Sequence, residues 1–232
     1  MPSYSTLKRT SAASGLVFGV FLAYHLYCHY CLYWKGYHAA NHALIQGRVI
    51  YQNPLVEVLL AVSVIVHMYA NTALYLYRTN KENKKASAEL KAHRMAGYFM
   101  GLSIVGHVAA TRLAPLYILH DDDASVYNYG FVHAAAHHLG GAPFYLYLII
   151  FAMAGGWHLI YGTRSALATL LGTSGVANNK PMPIVLKVMA LTNHVFIILG
   201  VLALSGWFYT IHISQEQMVK QDKLFTTMGL AA

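Results

Sequence analysis

Five stretches of the chain are apolar over a length that matches a bilayer, and polar segments separate them. A helix rising ~1.5 Å per residue needs about 20 residues to cross a hydrocarbon core ~30 Å thick. The stretches that qualify are 14–34, 54–77, 93–118, 143–167 and 184–212. Several end in interface residues: Tyr33, Trp34 and Lys35 close the first, Tyr75, Tyr77 and Arg78 the second, and Trp207 and Tyr209 stand at the far end of the fifth. Pro54 suits the first turn of the second helix. Pro115 is expected to kink or end the third. Residues 35–53 read as a polar loop and 79–91 as a polar, partly helical segment outside the membrane. The loop 120–142 opens with Asp121, Asp122 and Asp123, with an interfacial helix expected over 131–139. Residues 172–183 read as a loop and 213–232 as a polar, solvated tail. The pattern predicts one domain, 1–232, of all-α class: an integral membrane bundle of five transmembrane helices.

Composition agrees with this pattern. The chain is 57% hydrophobic and 10% charged, against about 25% charged residues in a soluble domain. The net charge of +8 raises the question of nucleic acid. The basic residues, however, sit in short clusters between apolar runs, which is a topology signal, and no nucleic-acid partner is expected. On the side shared by the N-terminus and the loops after the second and fourth helices lie Lys8, Arg9, Arg78, Lys81, Lys84, Lys85, Lys91, Arg94, Arg164, Lys180 and Lys187. The other side has Lys35, Arg48, Arg112, Lys220 and Lys223. The excess puts the N-terminus in the cytoplasm or the mitochondrial matrix. The run after Lys8 and Arg9 continues to Trp34 without a small-residue cleavage site, so no cleavable signal is expected. Cys28 and Cys31 are followed by Leu32, which excludes the Cys-x-x-Cys-His haem attachment. Both cysteines read as small apolar filler.

The candidate chemistry lies in the histidines. A histidine well inside a bilayer is costly unless its nitrogens are used. His25 is 11 residues past Ser14 and His107 is 13 past Arg94, both counted from the positive side; at ~1.5 Å per residue they lie ~16–20 Å from it. His67 is 13 residues past Pro54 and His158 is 15 past Pro143, counted from the opposite side; they lie only ~8–10 Å from the positive side. Depth thus sorts four imidazoles into two pairs, His25 with His107 and His67 with His158. Two imidazoles at one level can clamp a haem iron between them, and two such pairs would form an electron path across the membrane. Lone interhelical hydrogen bonding is the plainer alternative for any one of them. His29, one turn past His25, could replace it. His194 has no partner at its depth and reads as a packing or hydrogen-bonding residue. His133, His137 and His138 contain an i, i+4 pair on one helix face, which a metal could use, although no further ligand accompanies them. Gly155 and Gly156 allow close approach of another backbone or a flat ligand.

Several motifs bear a family likeness. Phe21-Leu22-Ala23-Tyr24-His25-Leu26, Val66-His67-Met68-Tyr69-Ala70-Asn71, Arg94 with His107 and Arg112, and His158 followed by Gly162 occur in order on four helices. With these, the chain resembles the five-helix di-haem cytochrome b anchors of succinate dehydrogenases and fumarate reductases, the membrane part of complex II. The resemblance spans all five helices. It implies haem b, two per chain, with the first and third histidines on one iron and the second and fourth on the other. It also implies flavoprotein and iron–sulfur partner subunits, other respiratory-chain subunits, quinone and membrane lipids. The implied location is the mitochondrial inner membrane with the N-terminus in the matrix, or a bacterial cytoplasmic membrane. Arg9, Ser11 and Ser14 are candidate donors to a quinone carbonyl, and capping or headgroup contact explains them equally well. A second likeness runs through His93-Arg94-x-x-Gly97-Tyr98, His107-x-Ala109-x-x-Arg112-Leu113-x-Pro115 and Tyr127-x-Tyr129-Gly130. These resemble the fungal mitochondrial morphology adapter proteins, which are similar to complex II anchors in fold. That likeness implies a non-catalytic mitochondrial adapter or accessory subunit with the same kind of haem bundle.

Overall fold

The computed structural model describes residues 2–77, 86–120, 126–173 and 181–229. Nine helices are named here: α1 (Tyr4–Trp34), α2 (Tyr37–Tyr51), α3 (Pro54–Tyr77), α4 (Ala88–Val108), α5 (Ala114–Tyr117), α6 (Tyr129–His138), α7 (Ala142–Leu170), α8 (Ile184–Leu204) and α9 (Gln215–Thr227). A π-helical turn, Ala109–Leu113, joins α4 to α5. No strand occurs among the described residues. Five helical stretches are long and apolar enough to cross a membrane: Tyr4–Trp34, Pro54–Tyr77, Ala88–Tyr117, Ala142–Leu170 and Ile184–Leu204. The protein is an all-α, multi-pass membrane protein.

The way these helices expose side chains has the same origin. Leu55 is 83% exposed and Leu102 81%, while α3 buries only Ser63, Ala70 and Leu74. Water would not tolerate so much open leucine and valine; hydrocarbon does.

Local signals set the helix ends. The Ser3 hydroxyl accepts from Thr6 N at 3.1 Å, so α1 starts ten residues before the apolar run and includes Lys8 and Arg9. Gly36 stops it with φ of +83°, a left-handed conformation that suits glycine. Asn53 caps α3 through Leu55 N at 3.1 Å, with Pro54 in the first turn as expected. Pro115 does not end the third span. It has no N–H for the turn before it, and the helix widens there, with Ala114 N reaching back to Ala109 O.

Three expectations are corrected. Residues 35–53 are not a loop: α2 occupies most of them and buries Ala40, Asn41, Leu44, Gly47 and Arg48. Nor is the tail simply solvated: α9 buries Gln217, Gln221, Leu224 and Phe225. The fifth span also ends at Leu204 rather than 212. The interfacial helix expected over 131–139 is α6. The aspartates 121–123 and the basic residues Arg78, Lys81, Lys84, Lys85 and Lys180 lie outside the described residues.

The chain forms two compact units. The first comprises Met1–Tyr24, Ile50–Gly101 and Ala154–Asn193. Leu7, Ala70 and Leu74 pack together in it. Glu89 ties its edge, pairing with Lys187 Nζ at 3.0 Å and accepting from Met182 N at 3.3 Å. The second comprises His25–Val49, Leu102–Met153 and His194–Ala232. Its core gathers Ala114, Leu119, Tyr127, Phe131 and Leu224. The Ser214–Gln217 capping box opens α9. Gln217 Nε2 donates to Val126 O at 2.9 Å and to Asn128 Oδ1 at 2.8 Å, and Gln221 Nε2 to Phe131 O at 2.7 Å. Tyr209 donates its hydroxyl to Leu32 O.

Candidate functional site

The two histidine pairs fall one in each unit. In the first unit, His67 on α3 and His158 on α7 have ring centroids 6.1 Å apart with planes at 87°. His67 Nδ1 lies 2.9 Å from Ser11 O on α1. His158 Nδ1 lies 3.2 Å from His93 O on α4. A carbonyl only accepts, so each neutral imidazole carries its proton on Nδ1 and keeps the Nε2 lone pair. Metal-ligating histidines take this arrangement, with the other ring N–H held by a carbonyl or carboxylate.

Each ring also has a seat that only glycine provides. A Cβ at Gly15 would stand 2.8 Å from His67 Cε1, and one at Gly97 would stand 2.7 Å from His158 Cε1. Asn71 Nδ2 donates to Ser11 Oγ and to His67 O, both at 2.8 Å, tying α1 to α3 beside the His67 ring. His93 stacks on His158 with centroids 4.2 Å apart and planes at 13°, and on Tyr161 at 4.8 Å and 30°. Gly162 makes room for it, since a Cβ there would meet His93 Cε1 at 3.2 Å. In the sequence, His93 stands out only as part of the His93-Arg94-x-x-Gly97-Tyr98 motif of the second likeness. Its contribution here, a carbonyl and a stacking ring against His158, has no sequence signal beyond the His-x-x-x-Gly on the facing helix.

In the second unit, His25 on α1 and His107 on α4 have centroids 6.0 Å apart with planes at 73°. His29 joins them: its Nε2 is 3.4 Å from His25 Nε2, and its Nδ1 is 3.3 Å from the Tyr129 hydroxyl. Tyr129 is buried at the start of α6, its N–H donating to Asn41 Oδ1 at 2.9 Å. Phe151 covers His107 at 5.3 Å. The π turn begins two residues after His107, whose carbonyl accepts from the Thr111 hydroxyl at 2.7 Å.

Both pairs suit one iron between two imidazoles. Each pair would hold one iron through a nitrogen of each ring. The donors are neutral nitrogens in an apolar surround, as haem ligation requires. The first pair has both Nε2 atoms clear of its own tautomer-fixing bonds. The second has His25 Nε2 engaged by His29. Among the described residues, no group of three or more His, Cys, Asp or Glu is arranged to hold a metal ion.

The remaining candidates are placed as follows. Ser11 belongs to the His67 site through its carbonyl and hydroxyl. The Ser14 hydroxyl donates to Thr10 O at 2.7 Å, and Arg9 is exposed. His133 accepts or donates at Nδ1 with the Tyr145 hydroxyl at 2.7 Å. His138 pairs with Asp222 at 3.2 Å and stacks on Phe225. The i, i+4 pair His133 and His137 does keep its rings together, with centroids 5.6 Å apart, while His138 faces the other way to Asp222 and Phe225. Burial pushes His133 below the usual imidazole range, against the opposing pull of a bond to the Leu204 backbone, with His137 adding to the depression. His194 Nε2 lies 3.3 Å from Met153 O, an interhelical bond of the kind expected for it. Gly156 lies against the Asn193 side chain. Cys28 and Cys31 are buried and are not joined in a disulfide.

No protein-family model, curated protein or solved structure matches the chain. The resemblance to complex II anchors rests on the residues quoted for it.

Proposed function

We propose that this chain is a haem-binding cytochrome b membrane anchor of a succinate:quinone oxidoreductase-type complex, carrying electrons between an iron–sulfur subunit and quinone. The observation that carries the reading is the pairing of intramembrane imidazoles. His67 with His158 and His25 with His107 come from different helices and have centroids 6.1 and 6.0 Å apart. Haem, when bound, supplies a one-electron carrier whose potential depends on its axial ligands and surroundings. The chain's own part is to present four imidazoles, to hold His67 and His158 in one tautomer through the Ser11 and His93 carbonyls, and to exclude water with apolar helices.

The sequence has no nucleotide-binding fingerprint and no iron–sulfur cysteine set. Succinate chemistry therefore belongs to flavin and iron–sulfur partners, which would dock on the basic face. Arg9, Ser11 and Ser14 near that face are the candidate quinone donors. The proposed location is the mitochondrial inner membrane with the N-terminus in the matrix, or a bacterial cytoplasmic membrane.

Purification of the chain with its native partners tests the reading. The expected result is a low-spin b-type spectrum, two haems per chain by pyridine haemochrome, and co-purifying flavin and iron–sulfur proteins. Haem without those partners would favour the adapter reading. The carbonyl bonds to His67 and His158 would also serve a haem-free bundle, and a preparation without any haem would establish that alternative instead.

A further inference from the structure

We infer that the two histidine sites fill in a fixed order: His67–His158 binds haem first and more tightly, and His29 is a positioning residue that weakens His25–His107. This rests on the haem reading above.

In the first unit, no hydrogen bond among the described residues engages either Nε2. The proton of each ring is already committed to a carbonyl, at 2.9 Å for His67 and 3.2 Å for His158. Each ring lies close against a glycine, Gly15 or Gly97, and the stacked ring of His93 limits rotation of His158. Ordering that is complete before binding is not subtracted from affinity.

The second unit differs at His25 Nε2. His25 Nε2 lies 3.4 Å from His29 Nε2, so one of the two nitrogens donates to the other. The nitrogen of His25 that matches the ligating nitrogens of the first site is therefore already engaged. Ligation through it requires that bond to open, leaving a ring nitrogen of His29 to find another partner. His29 is itself held from its other side by the Tyr129 hydroxyl at 3.3 Å, so it does not simply swing away.

The test uses the full chain, purified without haem in detergent and titrated with haemin while low-spin EPR and optical signals are recorded. The first equivalent should give a low-spin signal that His67→Ala abolishes and His25→Ala retains, and the second should bind about tenfold more weakly. His29→Leu should tighten the second site about fivefold and leave the first unchanged. His29→Gln, which keeps an amide N–H beside His25, should stay near the wild type. Loss of the first equivalent in His25→Ala with retention in His67→Ala would overturn the inference. So would equal affinities in a wild-type chain that His29→Leu does not alter. The order of filling read from the two alanine variants decides the question even if His29→Leu does not fold. Failure of the wild-type chain to take up haem at all would overturn the haem reading itself, a result distinct from the others.

Discussion

A histidine inside a bilayer has two ring nitrogens to satisfy, and that requirement made four of them legible from sequence. Their depth follows from counting residues along each helix, and the pairs so obtained are the pairs found within 6.1 and 6.0 Å of each other. What holds them was not legible. The Ser11 and His93 carbonyls are main-chain groups that every residue carries, Gly15 reads as a small residue in an apolar run, and Gly97 is marked only by its place in the motif of the second likeness. The glycine seats give a direct prediction. Gly15→Ala and Gly97→Ala place a methyl group against an imidazole, and each should cost about 1–3 kcal/mol of stability. Each should also disturb the low-spin signal of the His67–His158 site. Thermal unfolding and EPR of each variant check this; a methyl accepted with neither change would mean the seats are loose. His133, outside the spans, gives a pH prediction. Its folded pKa lies below that of an exposed imidazole, so below about pH 6.5 the unfolded chain binds more protons than the folded one. Its stabilising contribution is complete above that pH and is lost as the pH falls through the window down to the folded value. The drop in melting temperature between about pH 7.5 and about pH 5.5 should be smaller in His133→Gln than in the wild type. An unchanged drop would assign the pH dependence to other groups.

At the scale of elements, the spans were legible because membrane length and apolar composition are strong signals. The second, Pro54–Tyr77, has the bounds expected of it. The short helices at the edge of the second unit were not, for two different reasons. α2 carries a readable buried face, Ala40, Asn41, Leu44, Gly47 and Arg48 at helical spacing, but its polar residues His38, His42 and Gln46 obscure it. α9 buries two glutamines, Gln217 and Gln221, and glutamines one turn apart look like a solvated face. The groups they meet explain their burial: the carbonyls of Val126 and Phe131, the Asn128 side chain and the Ser214 N–H. Gln217→Ala removes the donor to Val126 and Asn128 and half of the capping box. It should destabilise α9 by about 1–3 kcal/mol. Hydrogen exchange resolved to 215–227 should accelerate in this variant, whereas unchanged exchange would mean that α9 is held by Leu224 and Phe225 alone.

At the scale of the whole molecule, five spans and the basic asymmetry predict an orientation. The N-terminus and the segment after α7 should share one side, and the segment after α1 the other. Cys28 and Cys31 are buried, so single cysteines introduced at the exposed positions His38 and Thr173 can be labelled over a quiet background. An impermeant maleimide should reach them from opposite sides of sealed vesicles; labelling of both from one side would contradict the topology. The proposal that these helices form a di-haem cytochrome stands on the pairing of their histidines, and single-ligand variants test it most directly. A redox-titrated optical or low-temperature EPR spectrum should show His67→Ala and His158→Ala missing one haem. His25→Ala and His107→Ala should be missing the other, and His194→Ala should keep both. The contradicting result is a spectrum in which His25→Ala and His67→Ala lose the same haem, or in which all four ligand variants match the wild type.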